Sequence, residues 1–131
     1  MPWVDIFAVF IVSHLVGDFL LQTDVQAMHK RGGLGGNGIS PRSLLSHTLT
    51  YTLAFVPALI WLAGDLGFLE TIGVALLIAL PHMIQDDGRL LDIYMRRIKG
   101  VGDPKPGGLL IAVDQSFHLL ALFLVALLVG N

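Results

Sequence analysis

Apolar positions fall in four long runs rather than in stripes. Trp3 to Gln22, Ser43 to Gly64, Leu66 to Gln85 and Leu109 to Val129 each approach the roughly 20 apolar residues that cross a hydrocarbon core of about 30 Å. No run alternates with period two, so strands are disfavoured. The pattern predicts an all-α chain: a single four-span membrane domain over residues 1–131, an integral membrane four-helix bundle made of two helical hairpins. Between spans three and four, Leu90, Leu91, Tyr94, Met95 and Ile98 share one helical face, with Arg89, Arg96, Arg97 and Lys99 around it. That arrangement predicts a short amphipathic helix on the cytoplasmic membrane surface. The Gly- and Pro-rich run Gly102 to Gly108 ends it.

Composition agrees with the pattern. Of 131 residues, 54% are hydrophobic and 14% charged, where a soluble domain carries about 25% charged residues; the mean hydropathy is +0.75. A net charge of −2 implies no general affinity for nucleic acid. The chain has no cysteine, which excludes disulfides, thiolate metal sites and a cysteine nucleophile. Met1-Pro2-Trp3-Val4-Asp5 lacks the basic start of a signal peptide and Asp18 interrupts the apolar stretch, so the first helix is expected to be retained.

Charge also orients the spans. All eight Lys and Arg residues lie in two connections: Lys30, Arg31 and Arg42 between spans one and two, and Arg89, Arg96, Arg97, Lys99 and Lys105 between spans three and four. The middle turn holds only Asp65 and Glu70. The positive-inside rule then puts both connections in the cytoplasm and both termini outside, with Trp3 and Trp61 near the outer interface. In the first connection Gly33, Gly35 and Gly38 match G-x-G-x-x-G, but no strand precedes them. A flexible loop is the expected reading rather than a nucleotide site.

Ionisable residues inside a span cost roughly 2.5–3.5 kcal/mol each and normally face the bundle interior with a partner. Here they are His14 and Asp18 in span one, His47 in span two, His82 and Asp86 in span three, and Asp114 and His118 in span four. Three of these sets are i,i+4 pairs, each projecting from one helix face. Span four runs opposite to spans one and three, and its pair is reversed in order. Every aspartate therefore lies nearer the cytoplasm, with its histidine about one turn, roughly 6 Å, deeper; His47 falls near the aspartate layer. Each half of the chain is a hairpin with His-x-x-x-Asp near its inner end, which suggests a weak internal duplication. Pro81 is expected to loosen span three beside His82.

Three aspartates bring −3, which charged histidines could balance without metal. Imidazole and carboxylate are equally usual ligands for zinc, iron or manganese. One divalent ion leaves −1, and two with a bridging hydroxide leave zero, so charge permits one ion or two. The candidate metal ligands are His14, Asp18, His47, His82, Asp86, Asp114 and His118. Gln22, Gln85 and Gln115 are candidates to orient them, as are Ser46, Thr50 and Tyr51. Asp87 is either a further ligand or a solvated helix end.

The segment Ser13-His14-Leu15-Val16-Gly17-Asp18-Phe19-Leu20-Leu21-Gln22-Thr23-Asp24 resembles the opening signature of the bacterial domain-of-unknown-function 3307 family. Ser46-His47, His82-Met83-Ile84-Gln85-Asp86 and Asp114-Gln115-Ser116-Phe117-His118 follow in the order expected of it. The resemblance implies a small multi-span protein of the bacterial inner membrane without an established activity. It also carries a looser similarity to membrane proteins labelled metal-dependent hydrolases. The family's third segment continues after the aspartate with an aromatic residue and a lysine, where this chain has Asp87-Gly88-Arg89.

Two functions compete on these residues. The first is a metal-dependent hydrolase with a His/Asp site open to the cytoplasm. Asp18, Asp86 and Asp114 would hold metal or serve as catalytic base, water would be acidified by the ion, and the basic connections would attract a lipid or phosphate-containing substrate. The second is an ion or metal transporter, which needs a polar route through outer halves that contain no charge. Haem ligation by His14 and His118, and a membrane adaptor with a structural polar core, are the further alternatives.

Overall fold

The computed structural model describes residues 1–36 and 38–131. Among them the chain is all-α, with α1 (Trp3–Leu15), a π-helical turn (Val16–Leu20), α2 (Asp24–His29), α3 (Ile39–Ala54), α4 (Val56–Leu66), α5 (Phe68–Asp87), α6 (Arg89–Arg97) and α7 (Gly108–Val129).

Three stretches, Trp3–Leu20, Phe68–Asp87 and Gly108–Val129, are long and apolar enough to cross a membrane. The α3–α4 pair makes a fourth if its two helices, bent by 55°, count as one span. The expected second span is therefore broken at Phe55. The cause is Pro57, at the second position of α4, which has no N–H to donate back to α3. Pro81, by contrast, leaves α5 continuous. Only 17% of the apolar α5 window is buried inside the protein.

The helices close a ring: α3 and α4 pack on α5, α5 on α7, α7 on α1, and α1 with its π-turn on α3. The two ends of this ring differ in chemistry. Met1 lies 3.8 Å from Asp65 through its amino group and accepts the Asn131 N–H at 3.1 Å, so both termini meet the α4–α5 turn. This half is filled by an apolar core that includes Ile6, Phe10, Phe55, Leu62, Ile78 and Leu122. The other end carries α2, the glycine-rich loop and α6.

Each of those pieces has a local cause. Thr23 and Gln26 form a reciprocal capping box that starts α2, satisfying two otherwise orphaned N–H groups. The glycine-rich run is not a free linker. Gly32 N–H donates to the Asp87 carbonyl at 2.8 Å and Leu34 N–H to the Asp87 carboxylate at 2.9 Å; Asn37, within the same run, lies outside the described residues. Asp87 is buried and holds this loop, with the Arg89 guanidinium 3.4 Å away. Gly88 ends α5 at φ 81°, a left-handed conformation that favours glycine. The expected amphipathic helix is α6, whose Leu91 and Met95 are buried against Leu110 of α7.

A buried histidine and aspartate centre

The π-turn is the first element that shapes the site. Leu21 N–H reaches the Val16 carbonyl at 2.9 Å, a bond to the fifth residue back rather than the fourth, and such turns often mark functional positions. It carries Gly17 and Asp18. A Cβ on Gly17 would lie 2.7 Å from Tyr51 Cδ2 and 3.2 Å from Tyr51 Cα, so glycine permits the close approach of this turn to α3.

Four side chains from three elements then converge. His47 Nε2 lies 3.1 Å from Asp18 Oδ1 and 2.9 Å from Asp86 Oδ2. His82 Nε2 lies 3.5 Å from Asp18 Oδ1 and 3.0 Å from Asp86 Oδ2. The two Nε2 atoms are 3.1 Å apart. All four residues are buried, and together they form a set able to hold a metal ion. Tetrahedral ligation at bond lengths of 2.0–2.1 Å would place neighbouring donors about 3.3–3.4 Å apart, close to this spacing. With neutral histidines the set carries −2, the charge a divalent cation cancels. Two imidazoles and two carboxylates therefore fit zinc, iron or manganese in donor type and spacing.

His14 is engaged elsewhere. It donates Nε2–H to Gln115 Oε1 at 2.7 Å, which leaves Nδ1 to accept the Tyr51 hydroxyl at 3.0 Å. Gln115 in turn donates to Asp18 Oδ2 and to Asp114 Oδ2, both at 3.3 Å. A chain Tyr51–His14–Gln115 thus fixes two carboxylates. Tyr51 also floors the centre, its ring stacked on His82 with centroids 3.4 Å apart. Haem ligation by His14 finds no free nitrogen to use.

The remaining candidates divide. Asp114 and His118 join Asp86 in a second group able to hold metal. Gln22 donates to the Asp18 carbonyl at 3.2 Å, and Gln85 donates to the Phe117 carbonyl at 3.1 Å, so both amides are directed to backbone oxygens. Ser46 accepts from Gln26 and Thr50 binds backbone carbonyls of its own helix.

Lys30 was not among the residues expected at the site. Its Nζ lies 2.9 Å from Asp86 Oδ2, on a side chain only 14% exposed. With His47 and His82 it is the third nitrogen on that one oxygen. A cavity of about 310 Å³ opens beside it, lined by Asp18, Phe19, Gln22, Lys30, Asp114 and Gln115 among others. Phe19 and Ile111 at its edges are exposed, so the cavity has a polar floor and an apolar rim.

A family profile described as "Protein of unknown function (DUF3307)" matches residues 6–131. The chain belongs to that family. No curated protein and no solved structure matches it.

Proposed function

We propose that this member of the DUF3307 family is a four-span membrane protein of the bacterial inner membrane, with its polar end in the cytoplasm, and acts as a metal-dependent hydrolase. One divalent ion would be held by Asp18, His47, His82 and Asp86. The observation that carries the reading is the convergence of those four buried donors at 2.9–3.5 Å. A divalent metal there would supply Lewis-acid chemistry, polarising a substrate oxygen or activating water.

The chain's own residues favour hydrolysis at an interface. The Tyr51–His14–Gln115 chain orients the Asp18 and Asp114 carboxylates. Asp114, with a side chain 25% exposed, is the aspartate most open to the cavity. Lys30 lines that cavity and can turn its ammonium to an anionic group once a metal has taken Asp86. The apolar rim suits the stem of an amphiphile, so a lipid or another phosphate-containing molecule is the substrate class proposed.

A transporter would need a polar route through the other half, where Phe10, Phe55, Leu62, Ile78 and Leu122 fill the core. The decisive experiment uses untagged protein purified in detergent. Elemental analysis should find stoichiometric metal that is lost in His82→Ala, and proteoliposomes should turn over a phosphoester without passing metal. Absence of metal in the native chain would overturn the reading. Metal flux without turnover would make it a transporter.

A further inference from the structure

Among the described residues, His118 points a buried ring nitrogen at a carboxylate oxygen of the centre. Its Nδ1–H donates to the Asp114 carbonyl at 2.8 Å, which fixes the tautomer of the neutral ring. Nε2 then carries a lone pair. That atom is buried without a hydrogen-bond partner, on a residue 1% exposed, and lies 3.3 Å from Asp86 Oδ1. Two electron-rich atoms so placed in a buried site repel unless a proton or a metal cation sits between them, and Asp114 beside them supplies a third donor of the kind a metal takes. A backbone carbonyl on Nδ1 with Nε2 facing outward is also the arrangement that metal-binding histidines adopt.

Asp86 makes the placement more telling. Its Oδ2 belongs to the four-donor centre, with His47 and His82 at 2.9 and 3.0 Å, while its Oδ1 faces His118. Asp114 completes the second group, its Oδ2 3.8 Å from the His118 ring and its side chain the more open to the cavity.

We infer that the centre is binuclear: a second divalent cation is held by His118, Asp114 and Oδ1 of Asp86, and Asp86 bridges the two ions through its two oxygens. This rests on the metal reading above and extends it. The three aspartates and two divalent ions leave +1, or +2 with the Lys30 ammonium counted, which a bridging hydroxide and a substrate oxyanion together neutralise. Two ions sharing a bridge would clamp both the attacking and the leaving oxygen of a displacement. Asp18 of the first group and Asp114 of the second both line the cavity, so a substrate's anionic group there would lie beside both ions.

The test is metal stoichiometry in the untagged full chain, dialysed against Mn²⁺ and assayed by elemental analysis and electron paramagnetic resonance. The native protein should hold two ions per chain with a spin-coupled signal. His118→Ala and Asp114→Asn should each hold one, with the six-line signal of isolated Mn²⁺; His82→Ala should also lose one, and Asp86→Asn should lose the coupling. Asp114→Asn changes a half-open residue and guards against a His118→Ala chain that fails to fold, with helicity by circular dichroism as the control. One ion in the native chain, unchanged in His118→Ala and Asp114→Asn, overturns the second site and leaves the first. Two ions that persist in both variants overturn it too, and no bound metal overturns both readings.

Discussion

Lys30→Met should tighten metal binding, the opposite of what loss of a site residue usually does. The Lys30 ammonium lies 2.9 Å from Asp86 Oδ2, the oxygen that the His47 and His82 nitrogens also approach. A cation cannot take that oxygen at full strength while the ammonium holds it, so binding includes breaking the pair. A hydrogen bond to a charged group contributes about 1.5–3 kcal/mol net. At about 1.4 kcal/mol per tenfold, its removal should raise affinity about 10- to 140-fold. The side chain is only 14% exposed, so solvent screening takes little from this figure. Methionine keeps an unbranched stem of similar length and removes the charge together with the N–H donors. The same linkage lowers the stability of the metal-free form, because Asp86 then lies buried without its cation. A chelator-competition titration with Zn²⁺ measures the first effect, and thermal unfolding with and without metal measures the second. The unfolding temperature should fall in the metal-free protein and recover on loading. Equal or weaker Zn²⁺ affinity in Lys30→Met would refute the reasoning, since Lys30 would then support the bound state rather than compete with it.

Three other outcomes follow from single contacts. Gly17→Ala puts a Cβ 3.2 Å from Tyr51 Cα; backbone gives way poorly, so overpacking should cost about 1–3 kcal/mol, read as a lowered unfolding temperature and looser metal binding through the Tyr51–His82 stack. An unchanged unfolding temperature would mean that α3 shifts freely. Tyr51→Phe keeps the ring on His82 but leaves His14 Nδ1 buried without its donor, so stability should fall by about 1–3 kcal/mol while metal content stays the same; loss of metal would show that the hydroxyl, not the stack, holds the site. Because the chain has no cysteine, single cysteines at Arg97 and Asn131 report topology directly: in sealed inner-membrane preparations a membrane-impermeant thiol reagent should reach them from opposite faces, and labelling of both from one face would overturn the four-span assignment.

What the sequence made legible was whatever depends on period and solvation. Long apolar runs announce helices long and apolar enough to cross a membrane, and the i,i+4 spacing of His82 and Asp86 puts both in one buried cluster. The expected depth of His47, beside the aspartates rather than the deeper histidines, matches its contacts with Asp18 and Asp86. What stayed hidden depends on tertiary placement. Pro57 bends the second span, but Pro81 leaves α5 whole, and nothing local separates the two. Lys30 reads as one more solvated loop cation until α2 and its Thr23–Gln26 cap carry it back over the site. Asp87 and the glycines around residue 33 likewise acquire roles only because the loop docks on the end of α5.

The apparent likeness of the two His-x-x-x-Asp pairs fails for a reason the spacing does not encode. In α5 a regular helix stacks His82 over Asp86, and both reach the same point, with Nε2 and Oδ2 3.0 Å apart. In the first span a π-turn intervenes, and its bond to the fifth residue back widens the turn. Asp18 is thereby rotated away from His14, whose ring stays 3.8 Å from the carboxylate, and toward α3, where His47 is 3.1 Å away. Gly17 lets that turn press onto Tyr51. The displaced His14 is then free to take Tyr51 and Gln115 and to fix the carboxylates from behind. One extra residue in this turn thus converts a second copy of a ligand pair into a ligand and its support, and it follows that restoring α-helical register there, by deleting one residue of Val16–Leu20, should abolish metal binding while sparing the helical content.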